Sequence, residues 1–295
     1  MATQITNAFV RQYERDVHHV FQRQGSMLFN TVRTKTNVVG TSTTFQKIGT
    51  GVATTKSRHG TITPMNPDHT AIEVTISDFY AGDWVDKLDE SKINIDERMA
   101  IATSGANALG RKIDDQITTV LAATTETTVT VTVTSAGAVR AGILTAVANL
   151  WANDIPNDGM VYGAVTARMW GRLMAVNEFS SSDWVGADRL PLRDGAPIGK
   201  FKEWGGVMWT MHTGLPGAET ATANGFVWHK NSVGYAAAAA AGNIAGNGMV
   251  AADIMWYADR ASHFVNHFMS GGAGMIDTTG VIEIASDDTA AIASS

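Results

Sequence analysis

The chain has 295 residues, no cysteine, a formal net charge of −6 and only 17% charged residues. Disulfides and thiolate metal sites are thereby excluded, and no apolar run approaches the roughly 18 residues of a membrane-spanning helix. An apolar content of 44% supplies a core, while low charge and 29 glycines predict much loop and much surface covered by something else.

The charge is unevenly placed. Residues 1–60 hold Arg11, Arg15, Arg23, Arg33, Lys35, Lys47, Lys56 and Arg58 against Glu14 and Asp16, a net +6 that leaves −12 on the remainder. A basic front on an acidic body fits nucleic-acid contact or association between copies. The basic residues are spread out with no aromatic interleaving, which favours association. The polar start Met1-Ala-Thr-Gln is not a secretory signal.

Taken in order, residues 4–24 form an amphipathic helix through Ile5, Phe9, Tyr13, Val17, Val20 and Phe21, ended by Gly25. The adjacent His18 and His19 point to different faces and read as surface residues. Residues 27–42 are extended and arm-like. Thr43–Thr55 is β-prone, Lys56–His69 is rich in turn residues with Pro64 and Pro67, and Thr70–Tyr80 alternates as a half-buried strand. Together they predict a long two-stranded hairpin with a basic tip. Such a ribbon is marginal alone in water and must lie on its own domain or on another subunit.

Ala81–Glu90 reads as an amphipathic link. Asn94–Ala123 is the longest periodic stretch, with apolar residues at Ile95, Met99, Ala102, Ala106, Leu109, Ile113, Ile117 and Leu121. Steps of three and four mark a helical stripe. Asn94 with Glu97 fits a capping box. Ala102, Gly105, Ala106 and Gly110 predict close backbone approach by a neighbour. Thr124–Thr134 is strand-like. Helices follow over 138–152 and Ala167–Glu178, separated by a buried strand at Met160–Val165. Residues 179–200 are irregular. Strands are expected at Val207–His212 and Phe226–His229. After the low-complexity run Ala236–Ala241, strands return at Ile254–Tyr257, His263–Met269 and Met275–Ile284. The polar tail SDDTAAIASS is expected to fray.

Catalytic patterns are weak. Gly195-Ala-Pro-Ile-Gly199-Lys200 has one residue too few for a phosphate loop, and Phe201 stands where a magnesium-binding hydroxyl belongs. Gly242–Gly248 lacks the flanking strand, helix and acid of a dinucleotide site. His263 and His267 have the i, i+4 spacing of a helical metal pair without the partners of a zinc hydrolase motif. Asp114 and Asp115 diverge on the long helix and read as solvated carboxylates. Core or interface packing accounts for the tryptophans. No catalytic residue, cofactor site or metal site is assigned.

The order of elements is distinctive: hairpin Thr43–Tyr80, helix Asn94–Ala123, then AVTARMWGRLMAVNEFSSS, PIGKFKEWGGVMWTMHTGLP, FVWHKNSVGYA and SHFVNHFMSGGAGMID. In that order and spacing the chain resembles the major capsid proteins of tailed bacteriophages, with their Hong Kong 97-type α+β shell fold. The resemblance implies an N-terminal helix and arm (1–42), an extended loop overlapping a neighbour (43–80), a peripheral domain with its spine helix (81–135), an axial domain (136–254), and a return to the peripheral domain with the tail (255–295). It implies pentamers and hexamers of this chain in an icosahedral virion shell around double-stranded DNA bound without sequence specificity. The shell would be assembled in the host bacterial cytoplasm with a portal and no membrane. Because the arm begins close to Met1, a separate scaffolding protein is expected. Subunit contacts are expected at Arg11, Arg15, Arg23, Arg33, Lys47, Lys56 and Arg58. Some relatives cross-link the loop to a neighbour, and Lys56 and Asn266 are the conceivable pair here. Two rival readings are an encapsulin-like bacterial compartment, which needs a cargo groove, and a mixed α/β enzyme, which needs converging titratable groups.

Overall fold

The computed structural model describes residues 23, 25–88, 97–181, 201–238 and 250–292. The predicted helix over 4–24, with Arg11 and Arg15, falls outside these residues apart from Arg23. Asn94 and both glycine-rich runs, Gly195–Lys200 and Gly242–Gly248, also lie outside them. The chain divides into two compact units: one of residues 1–25, 78–111 and 240–269, the other of 26–77, 112–239 and 270–295.

The second unit is built on a six-stranded sheet. Its strands are β5 (Val129–Thr130), β6 (Val161–Val165), β7 (Lys202–Trp204), β8 (Val207–Met211), β9 (Ala223–His229) and β13 (Val281–Ser286), in the order β5-β13-β9-β6-β8-β7. β9 runs antiparallel to both β13 and β6, and β8 runs parallel to β6. Six of its seven residues are buried, so β9 is the sheet's central, two-sided strand. Between β7 and β8, Gly205 and Gly206 have φ of +61° and +77°. Positive φ at both central residues is what a two-residue hairpin turn of matching twist requires, and Trp204 accordingly faces Val207 across the ladder.

Two helices complete this core: α2 (Ala136–Ala152) and α3 (Ala167–Met174). The side chain of Ser135 accepts from Ala138 N at 3.2 Å, and that of Thr166 from Met169 N at 3.2 Å. Each satisfies one of the amides that a helix start leaves open. Val139, Ile143, Val147 and Leu150 of α2 and Met169 and Leu173 of α3 join Trp209, Val227 and Ile282 of the sheet in one buried cluster. The expected helix over Ala167–Glu178 is broken instead. It stops at Met174 and resumes as the single turn α4 (Asn177–Ser180), which buries Phe179.

The same unit carries β1 (Arg33–Val38), parallel to β10 (Val233–Ala238), and β10 runs antiparallel to the end of β12 (Ser262–Met275). The extended, arm-like segment over 27–42 thus contains a strand that pairs within its own unit. Strand β10 absorbs the start of the alanine run expected to be low-complexity loop. The expected strand over Thr124–Thr134 shrinks to the two residues of β5, because parallel pairing with β13 reaches only Val129 and Thr130. The polar tail does not fray at its start. Asp288 is 2% exposed, accepts from Arg172 Nη1 at 3.4 Å, and donates its amide to Thr220 O at 2.9 Å. Arg172 Nη2 donates to Ala290 O at 2.7 Å. A buried guanidinium thus holds the chain end down.

The first unit contains β4 (Ser77–Asp86), β11 (Ala251–Tyr257) and the leading part of β12. β11 pairs antiparallel with β12, and β4 pairs with β12 as well. β4 replaces the amphipathic link expected at Ala81. The strand expected over Thr70–Tyr80 breaks at Ile76, whose amide turns to Thr41 O at 2.9 Å.

Helix α1 (Glu97–Leu121) contributes residues to both units. Leu109, Ile113, Ile117 and Leu121 are buried to 3% exposure or less, as the periodicity predicts, whereas Met99 is 66% exposed. The predicted close approaches fall at Gly110, where a Cβ would lie 2.5 Å from the backbone of Gly25, and at Gly105, where it would lie 2.5 Å from His267 Nδ1. Ala106 is exposed. Replacing Ile117 by Ala should cost about 2–5 kcal/mol of stability through lost transfer and a residual cavity. Met99→Ala should stay within about 0.5 kcal/mol. Urea unfolding midpoints check the contrast, and equal losses would show that the helix buries the other face.

Candidate assembly surface

The ribbon begins as β2 (Ser42–Ile48) paired with β3 (His69–Thr75), register Ser42 to Thr75 through Ile48 to His69. Its root is seated on its own unit. Phe45 and Val74 are buried with Val38, Ala236 and Ile276. The seat must be nearly flat. A Cβ on Gly272 would come 2.1 Å from Thr75 O, one on Gly274 would come 2.5 Å from Val74 Cγ2, and one on Gly234 would come 2.8 Å from the Phe45 ring. Glycines in the strands mark close backbone approach. Past Gly49, whose amide bonds Asp68 O at 2.7 Å, burial ends. Ile48, Val52, Ile62 and Met65 are 60%, 78%, 75% and 56% exposed.

The seven expected contact residues do not form one cluster among the described residues. Lys56 and Arg58 are exposed together on the loop. Lys47 pairs with Asp277 of the same chain at 2.8 Å. The Arg33 guanidinium carbon lies 5.7 Å from the centre of the Phe45 ring, so this arginine covers the ribbon root. The carbonyl of Arg23 accepts from Arg111 Nη1 at 3.3 Å. Asn266 sits within β12, opposite Asp253.

Asp114 corrects the expectation of a solvated carboxylate. It is fully buried. It accepts from Ser26 Oγ at 2.6 Å, from the amides of Met27 and Leu28 at 3.1 Å, and from His212 Nε2 at 3.1 Å. His212 Nδ1 itself accepts from Gly214 N at 3.2 Å. That fixes the tautomer, with the proton on Nε2 aimed at the carboxylate. Burial alone would push the Asp114 carboxyl up. The hydrogen bonds from His212, Ser26, Leu28 and Met27 outweigh it and hold the acid below its ordinary value. Sequence reasoning missed this residue, although Gly110, Asp114 and Thr118 form a buried row at i, i+4 beside the apolar stripe.

Serine, histidine and aspartate therefore meet, but in the wrong order for nucleophile activation. The carboxylate lies between the other two, whereas a triad needs the imidazole in the middle. His263 and His267 lie on a strand, so their i, i+4 spacing separates them by roughly 13 Å. Among the described residues no three His, Asp or Glu side chains are grouped to hold a metal. A depression lined by Ala136, Arg140, Val176 and Glu178 has a volume near 190 Å³, below the roughly 300–1,000 Å³ of ligand pockets.

A ribbon rooted on a glycine-walled sheet, a long helix and an α+β body define a Hong Kong 97-type shell protein. The phage capsid protein family matches residues 5–288, and the chain belongs to that family. It is similar in structure to the capsid of the cyanophage P-SCSP1u, with 15% identity, a TM-score of 0.74, and 97% of this chain and 95% of that one covered. It is similar also to the structure from Mycobacterium phage Che8, with 16% identity, a TM-score of 0.72 and coverage of 97% and 100%. A third is the capsid of a native GTA particle, with 12% identity, a TM-score of 0.69 and coverage of 97% and 99%. No curated protein matches the sequence. The protein is a major capsid protein, a structural component of the virion shell, and the compartment reading is not favoured.

The buried carboxylate has a measurable consequence. Because the folded pKa of Asp114 lies below its ordinary value of 3.8, its stabilisation is fully present above that value and is lost as pH falls through the folded one. Asp114→Ala should cost about 3–5 kcal/mol at pH 7 by leaving His212 and the Met27 and Leu28 amides without their acceptor. The gap to wild type should narrow as pH falls below 3.8. Urea titrations across pH 3–7 check this, and a gap independent of pH would show that the loss is packing alone.

Proposed function

We propose that the loop of residues 49–68 is the clamp by which each subunit overlaps its neighbour, in pentamers and hexamers of this chain closing an icosahedral shell around double-stranded phage DNA. One observation carries the reading: three large apolar side chains, Val52, Ile62 and Met65, are exposed on a loop whose root is firmly packed. Exposed apolar surface of this kind marks an interaction site. The six-stranded sheet region serves as the axial domain, and α1 with the β4, β11 and β12 region serves as the peripheral domain. The chain acts by binding copies of itself and carries out no reaction. A portal and a separate scaffolding protein are its further partners, and shells form in the host bacterial cytoplasm.

Arg11, Arg15, Arg23, Arg33, Lys47, Lys56 and Arg58 belong to the basic front that meets the acidic body of the next copy. Partly exposed pairs contribute about 0.2–1 kcal/mol each and are screened by salt. A shell repeats them at every contact.

Removing Gly51–Met65 and closing the gap with a short glycine turn should leave a soluble monomer with an unchanged melting point that forms no shells in negative-stain micrographs. Closed particles from this variant would sink the clamp. Replacing Arg11, Arg15, Arg23 and Arg33 together by Gln should weaken assembly of empty shells, with molar salt narrowing the difference from wild type. Normal empty shells at low salt, with a defect only after packaging, would assign these residues to DNA phosphates instead.

A further inference from the structure

The ribbon and the floor it stands on come from opposite ends of the chain. The root is β2 and β3, and its floor includes the end of β12, where Gly272 and Gly274 let Thr75 and Val74 pass. Ile276 joins Phe45 and Val74 in the buried cluster at the root, and Asp277 holds Lys47. The same end of the chain closes the six-stranded sheet. β13 lies between β5 and β9, with Val281, Ile282 and Ile284 exposed to 2% or less. Thr124 Oγ1 donates to Val281 O at 3.0 Å, and Asn153 Nδ2 donates to Thr279 O at 2.8 Å. Asp288 then fastens the tail to Arg172.

A chain that stops before residue 270 loses three supports at once. Among the described strands β10 keeps β1 alone, because its other neighbour is residues 271–275 of β12. The two-sided β9 keeps β6 and becomes a bare apolar edge. The ribbon root loses Ile276, the glycine floor and the Lys47 tie, and a two-stranded ribbon without a seat is marginal in water.

We infer that completion of the chain gates assembly: the loop of residues 49–68 is presented to other copies only after the last strands have folded beneath its root, so that unfinished and truncated chains stay out of the shell. The inference rests on the proposed clamp and says when that clamp becomes usable. The tie from Lys47 to Asp277 spans almost the whole chain, and so long a closure waits for both ends. Synthesis delivers the ribbon early and its seat last. An unfinished copy with a working loop would hold a neighbour and offer no complete body to the next. A ribbon that stood on β1 and β10 alone would instead be ready well before the chain ended.

The test stalls the full chain on the ribosome through a C-terminal linker. A short linker keeps residues 270–295 inside the exit tunnel, and a long one frees them. Long-linker complexes should resist trypsin at Lys47, be cut at Lys56 and Arg58, and recruit labelled free subunits. Short-linker complexes should be cut at all three and lose recruitment. Equal recruitment at both lengths overturns the gate, and recruitment at neither overturns it too, since exit of the last strands then does not suffice. Recruitment by long-linker complexes that lack Gly51–Met65 overturns the clamp instead. In cells, a tagged chain ending at Met269 and co-expressed with wild type should be absent from purified shells. Its presence there overturns the gate.

Discussion

The carboxylate of Asp114 holds together segments that lie far apart in sequence. Ser26, Met27 and Leu28 donate to it. His212, one residue past β8, donates from the other side. A carboxylate removed from water costs several kcal/mol unless its lone pairs are filled, so these segments are constrained together. Leu28 directly precedes the 3-10 turn Phe29–Thr31. The Thr31 carbonyl in that turn accepts from Trp228 Nε1 at 3.1 Å, within the buried β9. The lock therefore fixes where β1 begins, and β1 fixes the parallel register with β10 on which the ribbon rests.

The ribbon follows from a second constraint, the close passage of two backbones. Thr75 and Val74 pass so near Gly272 and Gly274 that any side chain would collide. The glycines remove side-chain contacts from β12, and Phe45, Val38 and Ile276 supply the burial instead. This arrangement stabilises the root while leaving the tip unsupported. Lys47 with Asp277, the former 39% and the latter 29% exposed at the side chain, marks the last side-chain tie before the exposed loop. As a half-exposed pair it steers the ribbon more than it stabilises it.

Much of this was legible in the residues, and the exceptions have physical reasons. The stripe from Leu109 to Leu121 declared α1 because burial on one helix face imposes a period. Strand β10 was hidden in an alanine run because Ala236, like Gly234, packs with Phe45. The turn at Gly205 and Gly206 is written in the sequence as a two-glycine hairpin signal between Trp204 and Val207. Asp288 and Asp114 were hidden by their polarity. A buried acid looks like a solvated one until its donors are known, and those donors come from Arg172, His212 and backbone amides remote in sequence. The exposed loop was legible as turn-rich and basic, but which of its basic residues are already engaged at home was not.

A capsid subunit must stay soluble as a monomer and yet bury apolar surface on assembly. The distribution of exposed apolar side chains meets both demands. Val52, Ile62 and Met65 share their loop with Lys56 and Arg58, while Ile254 to Tyr257 lie between Asp253 and Asp259. The loop is thus guarded by positive charge, while acids flank the strand beside Lys87 and Arg260. Loop against loop brings cations together, and strand against strand brings acids together, so like-with-like association is opposed before apolar contact forms. The asymmetric charge of the chain, basic over its first 60 residues and acidic thereafter, disfavours contact between like regions of two copies and favours contact between unlike ones.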